Sequence, residues 1–90
     1  FIMTGDFNAY PNSEEIKTLT ANTVRKIVDV SENVGATFHD YGRLEVPVKI
    51  DYIFTDLRNK LVDCSIIEDE PVNDVYLSDH VPLVAVLDMR

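Results

Sequence analysis

A chain of 90 residues is one domain or less, a size at which folding buries only roughly 60 to 65% of the surface exposed by the unfolded form. Its 46% hydrophobic and 27% charged residues form an ordinary globular balance and exclude a disordered chain. Eight Lys and Arg against 16 Asp and Glu leave a net charge of −8, which argues against the basic stripe of a nucleic-acid binder without deciding the substrate.

The apolar opening Phe1-Ile2-Met3-Thr4 reads as the end of a buried strand cut at its start, so the chain is expected to be a fragment. Gly5-Asp6-Phe7-Asn8 is the expected turn after it, with glycine permitting a sharp change of direction. Pro11 to Glu15 marks a helix start, with Asn12 as N-cap and Glu15 three residues later in a variant capping box. Ile16 and Leu19 supply its apolar stripe.

Between Val24 and Val34 two readings stay open: Val24, Ile27, Val28 and Val34 fit helical spacing in part, while Ile27-Val28-Asp29-Val30 also fits a short extended run. Gly35 ends the segment, Ala36-Thr37-Phe38-His39 is expected to be extended, and Asp40-Tyr41-Gly42-Arg43 a loop. Val48, Ile50, Tyr52 and Phe54 alternate with Lys49, Asp51, Ile53 and Thr55, the period-two signature of a strand with one buried face. Leu61 to Ile67 is a further β-rich run, Glu68 to Asp74 an acidic connection, and Val81 to Leu87 an apolar strand preceded by Ser78-Asp79-His80. No repeat or low-complexity tract interrupts the chain, so residues 1–90 are expected to form a single partial domain.

Cys64 is the one cysteine, so no intrachain disulfide forms, and its neighbours Val62 and Ile66 suggest a buried strand position. There is no run of ~18 apolar residues and no leader of signal-peptide form. The expectation is a soluble piece, with the cytoplasm slightly favoured.

Taken singly, Gly5-Asp6-Phe7-Asn8, Asp51 and Ser78-Asp79-His80 are ordinary features, since Asp, Asn and Ser favour turns for purely local hydrogen bonding. Together, and in this order, Gly5-Asp6-Phe7-Asn8, Ile50-Asp51-Tyr52-Ile53-Phe54 and Ser78-Asp79-His80-Val81-Pro82-Leu83 resemble the C-terminal motifs of the endonuclease/exonuclease/phosphatase (DNase I-like) superfamily. The resemblance spans residues 5 to 83, and Thr37-Phe38-His39 is similar to an element of bacterial members.

The resemblance implies an α/β fold, half of a four-layer α/β sandwich, mainly antiparallel sheet with one or two helices; this chain would provide roughly one sheet and its helix. It implies a divalent-metal-dependent phosphoester hydrolase, nuclease-like in chemistry, with Mg²⁺ or Mn²⁺ as cofactor. Such a cation prefers carboxylate and amide oxygens, and Asp6, Asn8 and Asp79 are the candidate metal ligands. Asp6 would position and deprotonate the attacking water, Asn8 would orient water and phosphate, His80 would stabilise the transition state, and Asp51 would orient His80 and tune its pKa. His39 is the candidate substrate-binding residue, while Tyr10, Tyr41 and Tyr76 are assigned no role.

The superfamily's metal-binding Glu, an N-terminal Asn and a mid-domain His or Tyr have no counterpart in these residues, so the chain alone is expected to be inactive. A catalytically silent binding or scaffolding domain is the alternative, and a broken motif would mark it; none of the five motif residues is broken. The partner is a phosphate ester of undetermined class, with the acidic balance favouring a small or lipid-derived substrate over DNA. An inner apolar sheet face that includes some of Val48, Ile50, Val81, Leu83 and Ala85 is expected to be exposed without the other half of the fold and to drive self-association through the sheet face or edge.

Overall fold

The alternating segment around Asp51 becomes the centre of a small antiparallel sheet. In the computed structural model, residues 1–21, 26–68, 71–73 and 75–90 are described. Their elements are β1 (Ile2–Asp6), α1 (Glu14–Thr20), β2 (Val28–Asp29), β3 (Asp51–Thr55), a 3-10 turn (Arg58–Lys60), β4 (Leu61–Ile66) and β5 (Leu83–Leu87). One sheet has the order β1-β3-β2 and a second pairs β4 with β5, all antiparallel. The expected single sheet is therefore two among the described residues.

β3 forms because its β-branched and aromatic residues fit a pleated surface on both sides. Tyr52 and Phe54 share one face by the period-two rule and are fully buried. They pack with Ile16 and Ile27 into the core, flanked by Met3, Phe7, Ala9 and Leu19. Phe7 meets Tyr52 and Phe54 edge-on, with ring centres 5.7 and 5.3 Å apart, the arrangement that ring quadrupoles favour.

The expectation of one buried face on this strand is corrected: Ile53 and Thr55 are buried as well. A central strand is flanked on both edges, and Ile53, Val81 and Leu83 line a cleft on the opposite side from the core. Lys49, expected on a polar face, is only 8% exposed. Burial pushes its pKa down, opposed by the charges of Asp29, Cys64 and Asp51.

β1 is an edge strand, and Ile2, with Phe1 just before it, is exposed where a buried strand was expected. Only Met3 of this strand packs on the core. The strand also continues through Gly5 and Asp6 instead of turning at Gly5, because pairing with β3 runs to Asp6 opposite Asp51.

The helix is capped one residue later than expected. Ser13, not Asn12, is the N-cap, and the Ile16 N–H donates to its Oγ at 3.4 Å. Glu14 and Glu15 in the first turn suit the positive helix end. At seven residues the helix depends on packing rather than propensity, and burying Ile16 is worth about 1.5 to 3 kcal/mol.

Of the two readings for residues 24–34, the extended one appears in β2; Val24 lies outside the described residues, as do Asp69, Glu70 and Asp74 of the acidic connection. In β4 a bulge between Leu61 and Asp63 breaks the alternation, so Val62 is exposed while Cys64 is half-buried. The expected apolar face is also corrected. Ile50 is buried, Val48, Val81, Leu83 and Ala85 are half-buried, and the exposed valines of β5 are Val84 and Val86 on its other side. Among the described residues no helix is long and apolar enough to cross a membrane.

Candidate active site

Three chain segments meet at the end of β1. The first is the Asp6 loop. The Asn8 N–H donates to Asp6 Oδ1 at 2.9 Å, an Asx turn, and Asn8 takes a left-handed φ of +49°, which asparagine tolerates better than most residues. The loop is pinned on both sides. The Phe7 N–H donates to the Ile50 carbonyl at 3.0 Å, and the Tyr52 hydroxyl donates to the Ala9 carbonyl at 2.6 Å.

The second segment brings Asp51. The N–H groups of Ile50 and Asp51 both donate to the buried Thr37 hydroxyl at 3.1 Å, which fixes the start of β3. The same Thr37 accepts at its carbonyl from the Val81 N–H at 2.8 Å, and the His39 N–H donates to the Asp79 carbonyl at 2.9 Å. Residues 37–39 thus tie the third segment, Ser78-Asp79-His80, to β3. Within that segment the His80 N–H donates to Ser78 Oγ at 3.1 Å, and the His80 ring rests against Phe38 with centres 4.9 Å apart.

His80 Nδ1–H donates to Asp51 Oδ2 at 2.6 Å. On the other side of the ring, Nε2 lies 3.6 Å from Asp6 Oδ2 and 3.8 Å from Asp79 Oδ1. Partial burial pulls the pKa of His80 down, but the hydrogen bond to Asp51 and the charges of Asp51, Asp79 and Asp6 outweigh it. The net result is a pKa above the ordinary 6.5, so the imidazolium is favoured.

The structure therefore brings together Asp6, Asp51, Asp79 and His80, four of the residues singled out in the sequence. Asn8 joins through its backbone, with its side chain exposed. His39 sits differently: the Gly42 N–H donates to its Nδ1 at 3.0 Å, and its ring lies on Tyr76 with centres 4.7 Å apart. Its main chain touches the His80 segment through the Asp79 carbonyl. Gly42, with φ of +79°, is required there, since a Cβ would come within 2.6 Å of the Tyr76 ring.

Asp6, Asp51 and His80 each offer a ligand atom, all within 4.8 Å of one another. Asp51 Oδ2 is engaged by the imidazole, whereas Asp6 and Asp79 present carboxylates on the Nε2 side. Hard oxygen donors of this kind suit Mg²⁺ or Mn²⁺, so the residues present fit such an ion. Sequence reasoning missed Ser31 and Lys49, which lie behind Asp51; a lysine alternating with strand hydrophobics carries no signal that it will be buried.

No protein-family model matches the chain, and no curated protein matches it. Among solved structures, the crystal structure of an endonuclease/exonuclease/phosphatase from Bacteroides vulgatus is similar, with 32% identity and a TM-score of 0.76. The match covers 97% of this chain and 36% of that one. Fold, identity and the ordered motifs agree: the chain belongs to the endonuclease/exonuclease/phosphatase (DNase I-like) superfamily, in a manner consistent with the C-terminal half of that fold.

Proposed function

We propose that these residues are part of the active site of a divalent-metal-dependent phosphoester hydrolase. The observation that carries the reading is the Asp51–His80 pair with Asp6 facing the ring's other nitrogen, at 2.6 and 3.6 Å. Asp51 fixes the ring orientation and favours the imidazolium, leaving Nε2–H directed to the side where Asp6 and Asp79 lie. That N–H donates to a phosphoryl oxygen as negative charge builds in the transition state. Asp6, held by the Asn8 N–H, orients the attacking water and takes its proton.

Asp6 and Asp79, with Asn8 beside them, are the residues that would hold Mg²⁺ or Mn²⁺. When bound, such an ion supplies charge stabilisation on the phosphoryl oxygens. The substrate is a phosphate monoester or diester, and the acidic surface favours a small or lipid-derived ester over a polynucleotide.

The test is hydrolysis of bis-p-nitrophenyl phosphate and p-nitrophenyl phosphate by the intact protein with Mg²⁺ or Mn²⁺, beside an Asp6→Asn control. Metal-dependent turnover abolished by the substitution supports the reading. Equal turnover in the control removes Asp6 from the mechanism.

A further inference from the structure

Behind Asp51 lies a second polar cluster that the proposed reaction does not use. Lys49 Nζ donates to the Ser31 hydroxyl at 2.9 Å and to the main-chain carbonyl of Asp51 at 2.5 Å. It lies 4.0 Å from Asp29 Oδ2 and 3.9 Å from the centre of the Tyr52 ring. The Ser31 hydroxyl donates to Asp29 Oδ1 and also accepts from the Ile53 N–H at 3.2 Å. Its one donor and two acceptor sites are all used.

Stability alone is a weak reason for such a cluster, because a buried ion pair is often matched or bettered by apolar residues of similar volume. The geometry suggests another reason. Asp51 is the register partner of Asp6, and like charges directly opposed across two strands repel. The Lys49 ammonium bonds the residue that must stay in place against that repulsion.

We infer that Lys49, seated on Ser31 and Asp29, is a positioning residue that fixes Asp51 and through it the His80 ring. Thr37 holds the amide side of Asp51 and Lys49 the carbonyl side, so the carboxylate leaves a backbone clamped at both ends. Lys49 itself does not touch His80 and acts only through Asp51. The inference rests on the hydrolase reading for its kinetic readout but not for its spectroscopic one.

Lys49→Met, Lys49→Arg and Ser31→Ala are compared with wild type in the intact protein. Turnover of bis-p-nitrophenyl phosphate and the downfield NMR resonance of the His80 Nδ1 proton are both read. Lys49→Met is expected to lower kcat by about 10- to 100-fold, the scale of a misplaced catalytic group, with KM little changed and the Nδ1 resonance shifted or lost. Lys49→Arg regains part of both. Should Lys49→Met fail to fold, Ser31→Ala, which deletes a single hydroxyl, is expected to show the same changes on a smaller scale. Folded variants with only a lower Tm, and with kcat and the Nδ1 resonance of wild type, would overturn the inference. If wild type hydrolyses neither ester, the hydrolase reading fails, and the Nδ1 resonance still decides the positioning role.

Discussion

Asp6 and Asp51 are directly opposed register partners in the β1–β3 pair, and His80 reaches both, at 3.6 Å through Nε2 and 2.6 Å through Nδ1. Two carboxylates in that relation destabilise a sheet, and the imidazolium between them offsets the repulsion. Asp51 holds the ring at Nδ1 while Asp6 faces Nε2.

Removing one charge separates these roles. Asp6→Asn is expected to keep the fold and change its stability by less than about 1 kcal/mol, because relief of the cross-strand repulsion is set against the lost attraction to His80, while turnover falls to near background. Thermal unfolding and hydrolysis of bis-p-nitrophenyl phosphate measure the two effects on one sample. A larger loss of stability together with loss of activity would assign Asp6 a structural role.

The pH dependence follows from His80. Its pKa lies above 6.5 in the folded chain, so the folded state binds its proton more tightly than the unfolded state. The resulting stabilisation is complete below pH 6.5 and is lost as the pH rises through the folded-state value. Asp51→Asn removes the hydrogen-bonding carboxylate, so the His80 titration followed by NMR moves to lower pH and this part of the pH dependence shrinks. An unchanged titration would mean that Asp51 does not hold the ring in solution.

The core rests on the aromatic face of β3. Phe54→Ala is expected to cost about 3 to 5 kcal/mol, a large share of the stability of a domain this size, and to be seen as a steep drop in the urea midpoint. Tyr52→Phe keeps the ring and deletes only the bond to Ala9. It should cost about 1 kcal/mol and loosen the Asp6 loop, read as faster amide exchange at residues 8 to 10.

Gly42→Ala tests the loop that carries His39. The left-handed φ and the 2.6 Å approach of the Tyr76 ring together forbid a Cβ without movement. A cost of about 1 to 3 kcal/mol is expected, with the His39 and Tyr76 ring resonances shifting as their contact opens. Wild-type shifts and stability would show that the loop adapts freely.

The order of the Gly5-Asp6-Phe7-Asn8, Ile50-Asp51-Tyr52 and Ser78-Asp79-His80 motifs was enough to name the superfamily, and the strands near residues 51–55, 61–66 and 83–87 followed from apolar pattern. Each of these signals is local: period-two alternation, a turn-forming residue, a motif whose spacing lies within one short segment. Local signals also led to error where neighbours compete, as with Asn12 and Ser13 for the cap, and where a bulge between Leu61 and Asp63 turned Val62 away from the face that Cys64 and Ile66 share.

The resemblance implied that residues 6, 51 and 80 serve one site; what the tertiary structure alone decided is how they meet, with Asp51 on Nδ1 of His80 and Asp6 and Asp79 on the Nε2 side. Residues 6, 51 and 80 are far apart in sequence, and only the pairing of β1 with β3 and the hydrogen bonds of Thr37 and His39 bring them to one point. The burial of Lys49 beneath Asp51 was equally out of reach of the sequence. A charged side chain is placed by what packs around it, and that packing is set by contacts between segments that no local pattern records.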